Sequence, residues 1–183
     1  MIDISNTRIE TPRLILRPWQ DSDLEDFYAY ASVEGVGEMA GWAHHQSLEE
    51  SRKILNLFIE GKHTFALELR ENGHAIGSLG LEERDENLDL PEDLEGCEIG
   101  YVLNKAYWGM GLMPEAVKAV MEYCFRELNL DYLTCGHFVR NNQSARVIEK
   151  CGFRYLKDIL YKTRMDTVEP TKLYIRYNPY KEK

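Results

Sequence analysis

The sequence predicts a mixed α/β fold, an α+β mixed sheet, built as a single domain over residues 1–183. Three observations predict it. Short apolar runs and helix-period stripes alternate along the chain in the order strand, helices, antiparallel strands, helix, strand, helix, strands. A length of 183 residues with 44% apolar side chains suits one sizeable core. Residues 98–116 read as a buried strand, a glycine turn and the start of a long helix, and the other elements arrange themselves around that stretch.

Residues 8–18 contain Leu14-Ile15-Leu16, a first strand ended by Pro18. Asp21-Ser22-Asp23-Leu24 looks like a helix start with acids in its first turn, and Leu24, Phe27, Tyr28 and Ala31 follow at helical spacing. Residues 33–41 carry three glycines and read as a loop. His44 and His45 have no carboxylate or cysteine at ligand spacing, so they read as exposed loop histidines and no metal site is expected. Ser47 caps the next helix, with Glu50 reaching back in a capping box. Ile54, Leu55, Phe58 and Ile59 make its apolar face, and Gly61 ends it.

Residues 64–70 alternate Phe65, Leu67 and Leu69 against Ala66, Glu68 and Arg70, the pattern of a strand with one wet face. Asn72-Gly73 is a hairpin turn, and residues 75–81 return as its partner, with Gly77 and Gly80 marking a bend or bulge. The long helix covers about residues 114–129, with Pro114 at its first position. Ala116, Val117, Val120, Met121, Cys124, Phe125 and Leu128 are its buried stripe. Residues 132–139 form a strand, and a helix follows with Val147, Ile148 and Cys151 inside and Gly152 as a left-handed cap. Residues 155–164 and 168–177 close the sheet, Pro170 placing the start of the last strand at an edge.

Gly109 and Gly111 let the backbone take positive φ and approach a ligand closely. A helix start leaves its first N–H groups unpaired and carries partial positive charge. A glycine turn in front of that end makes an anion site from backbone alone, although two glycines equally suit a plain turn into a core helix. Neither the dinucleotide-binding glycine fingerprint nor a Walker lysine followed by Ser or Thr is present.

The stretch Trp108-Gly109-Met110-Gly111-Leu112-Met113 resembles the pyrophosphate-binding motif of the GNAT N-acetyltransferase superfamily, Arg/Gln-x-x-Gly-x-Gly/Ala. Trp108 replaces the Arg or Gln, and Met113 the final small residue. Both departures are similar to the ribosomal-protein N-terminal (serine/alanine) acetyltransferase-like branch, where Tyr-Trp-Gly-x-Gly followed by Glu-Ala is common. Asn141-Asn142-Gln143-Ser144 with Glu149-Lys150-Cys151-Gly152-Phe153 resembles the family's Asn-x-x-Ser and Glu-Lys-x-Gly-Phe, and Thr11-Pro12-Arg13-Leu14 resembles the branch's opening. The matches fall in family order and cover most of the chain.

The resemblance implies the GNAT acyl-CoA N-acyltransferase fold, with a mostly antiparallel, splayed central sheet flanked by helices. It implies acetyl-CoA as co-substrate. The pantetheine arm would enter the splay beside N–H groups of Tyr101, Val102 and Leu103, and N–H groups of Gly109, Met110, Gly111, Leu112 and Met113 would hold the pyrophosphate. Asn141 would bind the arm. Many members carry a tyrosine as general acid in the helix after Asn-x-x-Ser; the matching residue here is Ile148, and Ser144 is the substitute expected to hydrogen-bond the sulfur. For Asn141 and Ser144, plain helix capping is the alternative. Glu98 is the first candidate for general base, with Glu82, Glu83 and then Glu68 behind it; as an alternative Glu98 only ends an acidic loop. Trp42 and Phe58 belong to the region that covers the acceptor in such folds, core packing being the plainer reading of Phe58. No nucleophile elbow or triad is visible, which favours direct transfer in a ternary complex.

The formal net charge is −9, and residues 82–98 hold nine carboxylates against one base, Arg84. The segment is either a solvated loop or a field that draws in a cationic amine. No basic stripe for nucleic acid and no membrane-spanning run are present. The first residues show no secretory pattern, and Cys97, Cys124, Cys135 and Cys151 form no Cys-x-x-Cys, so reduced core thiols in a cytoplasmic protein are expected. The leading function is acetyl transfer to a primary amine, the N-terminal α-amino group of a (ribosomal) protein; the alternatives are a polyamine or other small-amine acetyltransferase and, from another class, a non-catalytic acyl-CoA-binding sensor. A homodimer is compatible with the resemblance.

Overall fold

The structure is a computed structural model that describes residues 2–83 and 88–181. Arg84, Asp85, Glu86 and Asn87 of the acidic segment therefore lie outside the described residues. Eight strands form one sheet: β1 (Ile9–Glu10), β2 (Leu14–Pro18), β3 (Thr64–Leu69), β4 (Ala75–Glu82), β5 (Gly96–Leu103), β6 (Tyr132–Phe138), β7 (Arg154–Lys162) and β8 (Val168–Tyr177). Their spatial order is β1-β2-β3-β4-β5-β6-β8-β7. Every neighbouring pair is antiparallel except β5 and β6. Helices α1 (Leu24–Ala31) and α2 (Leu48–Gly61) cover one face, and α3 (Leu112–Arg126) and α4 (Asn142–Lys150) the other. No helix of the described residues is long and apolar enough to cross a membrane.

The two faces follow from strand alternation. Leu79, Leu81, Cys97, Ile99 and Leu103 pack against the α3 stripe of Ala116, Val117, Val120 and Cys124, as the helical period predicts. On the opposite face Ala66 and Ala75 leave room for Phe27, Tyr30 and Leu55 of α1 and α2. The expected wet face of β3 is thus dry, because two helices lie on it; Glu68 is accommodated there by Arg17, whose Nε donates to it at 2.5 Å while Nη1 and Nη2 bond Asp23 at 2.8 and 2.9 Å.

Several local expectations need correction. Gly61 continues α2, and Lys62 takes the left-handed position that ends it (φ 56°). Ser47 does cap α2 by accepting the Glu50 N–H, but the Glu50 carboxylate accepts from Gln46, one residue further back than a capping box. Helix α3 starts at Leu112 and ends at Arg126, so Pro114 occupies its third position, where its missing N–H again costs nothing. Strand β8 is interior, with β7 at the edge. Pro170 is tolerated because the β6 register has run out at Phe138–Thr171; the Pro170 carbonyl still accepts the Val139 N–H at 2.9 Å.

The parallel pairing of β5 with β6 covers only Gly96–Tyr132, Cys97–Leu133 and Glu98–Thr134. Beyond Glu98, β5 continues along β4 to Leu103, while β6 continues along β8 to Phe138. The sheet is therefore split from Glu98 onward. Gly96 begins the short joined stretch, and a Cβ there would lie 2.5 Å from the buried Tyr132 ring. Gly96→Ala should therefore destabilise the fold by about 1–3 kcal/mol through overpacking; urea denaturation of the variant checks this, and an unchanged midpoint contradicts it.

Candidate functional site

One groove of about 1000 Å³ runs from the start of α3, through the split between β5 and β6, to the face under α1 and α2. The glycine turn forms its first end. Gly109 and Gly111 both have positive φ (78° and 74°), and a Cβ on Gly109 would meet nothing within 4 Å. Gly111 is the N-cap of α3, so the N–H groups of Gly111, Leu112 and Met113 have no helical carbonyl to bond, and Pro114 contributes none. The side chains of Leu112 and Met113 are buried in the core, which leaves only their backbone for a ligand.

The segment Thr11-Pro12-Arg13, which resembles the branch's opening, has a physical part at the glycine turn that its sequence does not reveal. Arg13 Nη1 donates to the Met110 carbonyl at 2.8 Å, and its Nε donates to Glu115 at 2.7 Å. Glu115 also accepts from Thr11 Oγ1 (2.7 Å) and from the Arg13 N–H (2.8 Å). Burial works against ionisation of Glu115, but these hydrogen bonds win and hold its pKa below the usual value. In a planar trans peptide C=O and N–H point in opposite directions. Fixing the Met110 carbonyl on Arg13 therefore turns the Gly111 N–H the other way. Met110 itself is exposed and does not line the groove, unlike Trp108, Gly109, Gly111, Leu112 and Met113. Trp108 anchors the turn by donating Nε1–H to the Leu103 carbonyl at 2.8 Å.

In the split, Tyr101, Val102 and Leu103 line the groove from β5, and Asn141 and Ser144 from α4. Every second N–H of residues 99–103 points away from β4 into the space that β6 has left. Asn141 caps α4 by accepting the Ser144 N–H at 3.1 Å and donates to the Met39 carbonyl. Ser144 Oγ lies 2.8 Å from the Tyr101 hydroxyl. Ile148 is buried in the core. Burial pushes the Tyr101 phenol, Cys135 and Cys151 upward, the last to about 11, so these groups stay protonated. Arg146 and Lys150 of α4 also line the groove. Open backbone at the turn, unpaired strand N–H groups and these cations fit an anionic ligand with an extended arm.

At the far end Glu98 lies opposite Glu82 across β4 and β5, on the face that also carries Thr64 and Ser78, and all four line the groove. Directly opposed side chains of this kind stand roughly 5 Å apart. Of the other proposed bases, Glu68 is held by Arg17 outside the groove, and Glu83 does not line it. Nor do Asp89, Glu92, Asp93 or Glu95; of the described acidic segment only its ends, Glu82 and Glu98, do. Among the described residues no group of His, Cys, Asp and Glu could hold a metal.

The roof over this end is a loop that the sequence left undefined. Trp42 and Phe58 both line the groove, Phe58 also packing with Trp19 and Phe27. Gly37 is required because the Trp42 ring occupies the place of a Cβ. The histidine pair is not a pair of exposed loop residues. His45 is buried, with Nδ1 2.7 Å from Ser51 Oγ, and burial lowers its pKa. His44 Nδ1 lies 2.7 Å from Glu38, which also accepts the N–H groups of His44 and Gly35. Burial opposes ionisation of Glu38, but these bonds outweigh it and hold its pKa at about 2. A carboxyl depressed from 4.5 contributes stability that is complete above its unfolded pKa and lost as pH falls through the folded one. Amide exchange at Gly35 and His44 should accelerate relative to the core as pH falls from 4.5 towards 2. Glu38→Gln should remove that pH step; a step that persists in the variant assigns it to another group.

A model of the acetyltransferase (GNAT) domain matches residues 13–154 of this chain. Among curated proteins, the uncharacterized N-acetyltransferase YoaA of Bacillus subtilis (strain 168) is 28% identical over 151 residues, which is 80% of this chain and 82% of that protein. Among solved structures, the ribosomal-protein-S5-alanine acetyltransferase of Vibrio fischeri matches with a TM-score of 0.73 at 19% identity, over 97% of this chain and all 100% of that one. The spermidine N-acetyltransferase of Vibrio cholerae, in complex with CoA and spermine, matches with a TM-score of 0.73 at 18% identity, over 92% and 97%. At these identities the two structures establish the shared fold.

Proposed function

The chain belongs to the GNAT acetyltransferase domain family and is an acetyltransferase, and from that premise we propose that it moves the acetyl group of acetyl-CoA to the N-terminal α-amino group of a protein, by direct transfer in a ternary complex. The observation that carries this reading is the continuity of the groove from the glycine turn, through the split, to Glu98. The N–H groups of Gly111, Leu112 and Met113 hold the pyrophosphate at the positive end of α3. Free N–H groups among residues 99–103 bind the arm and polarise the thioester carbonyl. Glu98 takes a proton from the amine, directly or through water. An α-amino group has a pKa near 8, so a modest base suffices. Ser144 gives a hydrogen bond to the sulfur as the C–S bond breaks. The protonated cysteines beside the split argue against an acyl-enzyme route, since the thiolate is the nucleophile. Four buried free thiols suit a reducing, cytoplasmic setting.

The acceptor half supports one cation on an apolar body. Past Glu98 its wall is Trp42, Phe138, Ile159, Tyr161 and Leu173, and Arg164 stands among them. A polyamine would need carboxylates repeated along that wall; Glu50 and the Glu82–Glu98 pair, which also line the groove, are the features that favour it as the second reading. The test is an acetyl-transfer screen with thiol release as readout, comparing peptides with free and blocked N-termini and spermidine. Free-amine peptides should be acetylated, and Glu98→Gln should lower kcat by about 10²-fold, the scale of a general base, with acetyl-CoA affinity unchanged. Turnover of spermidine alone would overturn the α-amine assignment, and acetyl-CoA binding without turnover of any acceptor would favour a sensor.

A further inference from the structure

Helix α4 carries no tyrosine at the groove, yet a phenol reaches the same place from the opposite wall. We propose that Tyr101 is a positioning residue that sets the direction of the Ser144 hydroxyl, its own O–H donating to Ser144 Oγ so that the Ser144 proton is left to point into the split. The inference rests on the Ser144 role proposed above and adds a residue to it.

The argument starts from which proton can go where. Tyr101 is on β5 three residues past the last β5–β6 pair, so its ring stands where the two strands have parted. Its hydroxyl has two oxygen acceptors in reach, both on Ser144, Oγ at 2.8 Å and the main-chain carbonyl at 3.4 Å, and a third neighbour in the Cys135 thiol, whose sulfur is a weak acceptor. The first is a normal O–H···O distance and the second is long, so the phenol proton belongs on Oγ. Ser144 sits in the first turn of α4, its N–H taken by Asn141 Oδ1, and its side chain is nearly buried. A serine hydroxyl has one proton and rotates freely unless an acceptor or donor fixes it. With Oγ accepting from Tyr101, the Ser144 proton is excluded from the Tyr101 direction. The groove, which both residues line, is the side that remains. Burial keeps the phenol protonated, so it acts as a fixed donor and transfers no proton itself. Ser144 donates a hydrogen bond to the sulfur as charge develops there and keeps its proton, the thiolate leaves with the electron pair of the C–S bond, and both Ser144 and Tyr101 end the step unchanged.

Three variants test this: Tyr101→Phe, Ser144→Ala and the double variant, each assayed for kcat and, separately, for CoA affinity by calorimetry. Tyr101→Phe keeps the ring that packs against the core and removes only the hydroxyl. The expected result is a kcat lowered roughly 10-fold, the scale of one ordinary hydrogen bond, with CoA affinity unchanged. The double variant should be no slower than Ser144→Ala, because an orienting group has nothing left to orient. Wild-type kcat in Tyr101→Phe, losses that multiply in the double variant, or an equal loss of CoA affinity would overturn the proposal. If Ser144→Ala alone keeps wild-type kcat, the Ser144 reading fails; if Ser144→Ala is slow and Tyr101→Phe is not, only the Tyr101 assignment fails. The unsubstituted protein gives a check that needs no folded variant. A hydroxyl proton bonded in this way should be visible by NMR, close to the Ser144 β-protons, and should shift when CoA is added; a Tyr101 hydroxyl proton insensitive to CoA would contradict the proposal.

Discussion

Strands β5 and β6 are joined through Gly96, Cys97 and Glu98 and then separate, and the whole site hangs on that separation. A parallel pair cannot be closed by a hairpin; it needs a crossover, here α3. Because α3 begins at the turn that follows β5, its N-terminus is delivered to the mouth of the split. The split cannot heal by side-to-side movement, since β4 holds the other edge of β5 and β8 the other edge of β6. Backbone donors in a protein interior are almost always paired. The N–H groups that β6 abandons are therefore a standing demand for a partner, and an extended ligand lying between the strands meets it as a strand would.

The turn at Gly109–Gly111 is rigid for reasons that lie elsewhere in the chain. Two positive-φ glycines on either side of Met110 could adopt several shapes, and glycine alone gives freedom without choosing among them. The choice is made by Arg13, which holds the Met110 carbonyl, and by Glu115, which gathers Thr11 and Arg13 onto the first turn of α3. Orientation set before binding does not have to be bought at binding. Trp108 does the same from the other side through the Leu103 carbonyl, tying the turn to the strand whose N–H groups face the split.

The strand–turn–helix unit, the α3 stripe, the capping role of Asn141 and the left-handed Gly152 were all legible in the sequence, because each is governed by neighbours within a turn or two. What was missed depends on residues far apart in the chain. The wet face expected for β3 is dry because α1 and α2 happen to lie there, and alternation cannot report what covers a face. Glu68 looked available as a base and is engaged by Arg17, fifty-one positions away. His44 and His45 looked exposed because their partners, Glu38 and Ser51, belong to a loop and a helix with no periodic signal linking them. Lys62 rather than Gly61 takes the left-handed position, a difference of one residue that propensity does not resolve. Tyr101 was assigned only through its backbone; the direction of its side chain becomes meaningful once α4 is known to face it.

The ends of the groove differ in charge, and this bears on how two substrates share it. Arg146 and Lys150 line it on α4, while Glu82 and Glu98 line it across the sheet. An anionic co-substrate and a cationic amine each meet an opposite charge at one end and a like charge at the other, so wrong-way binding is penalised at both ends. The described acids between Leu88 and Glu95 do not line the groove, and any field they cast over it is screened by salt over about 8 Å. Glu98 and Glu82 act at contact range, where screening is weak. Under the α-amine assignment proposed above, discrimination between an amine with one charge and an amine with several falls to the wall beyond them, lined by Trp42, Phe138, Tyr161 and the cation Arg164.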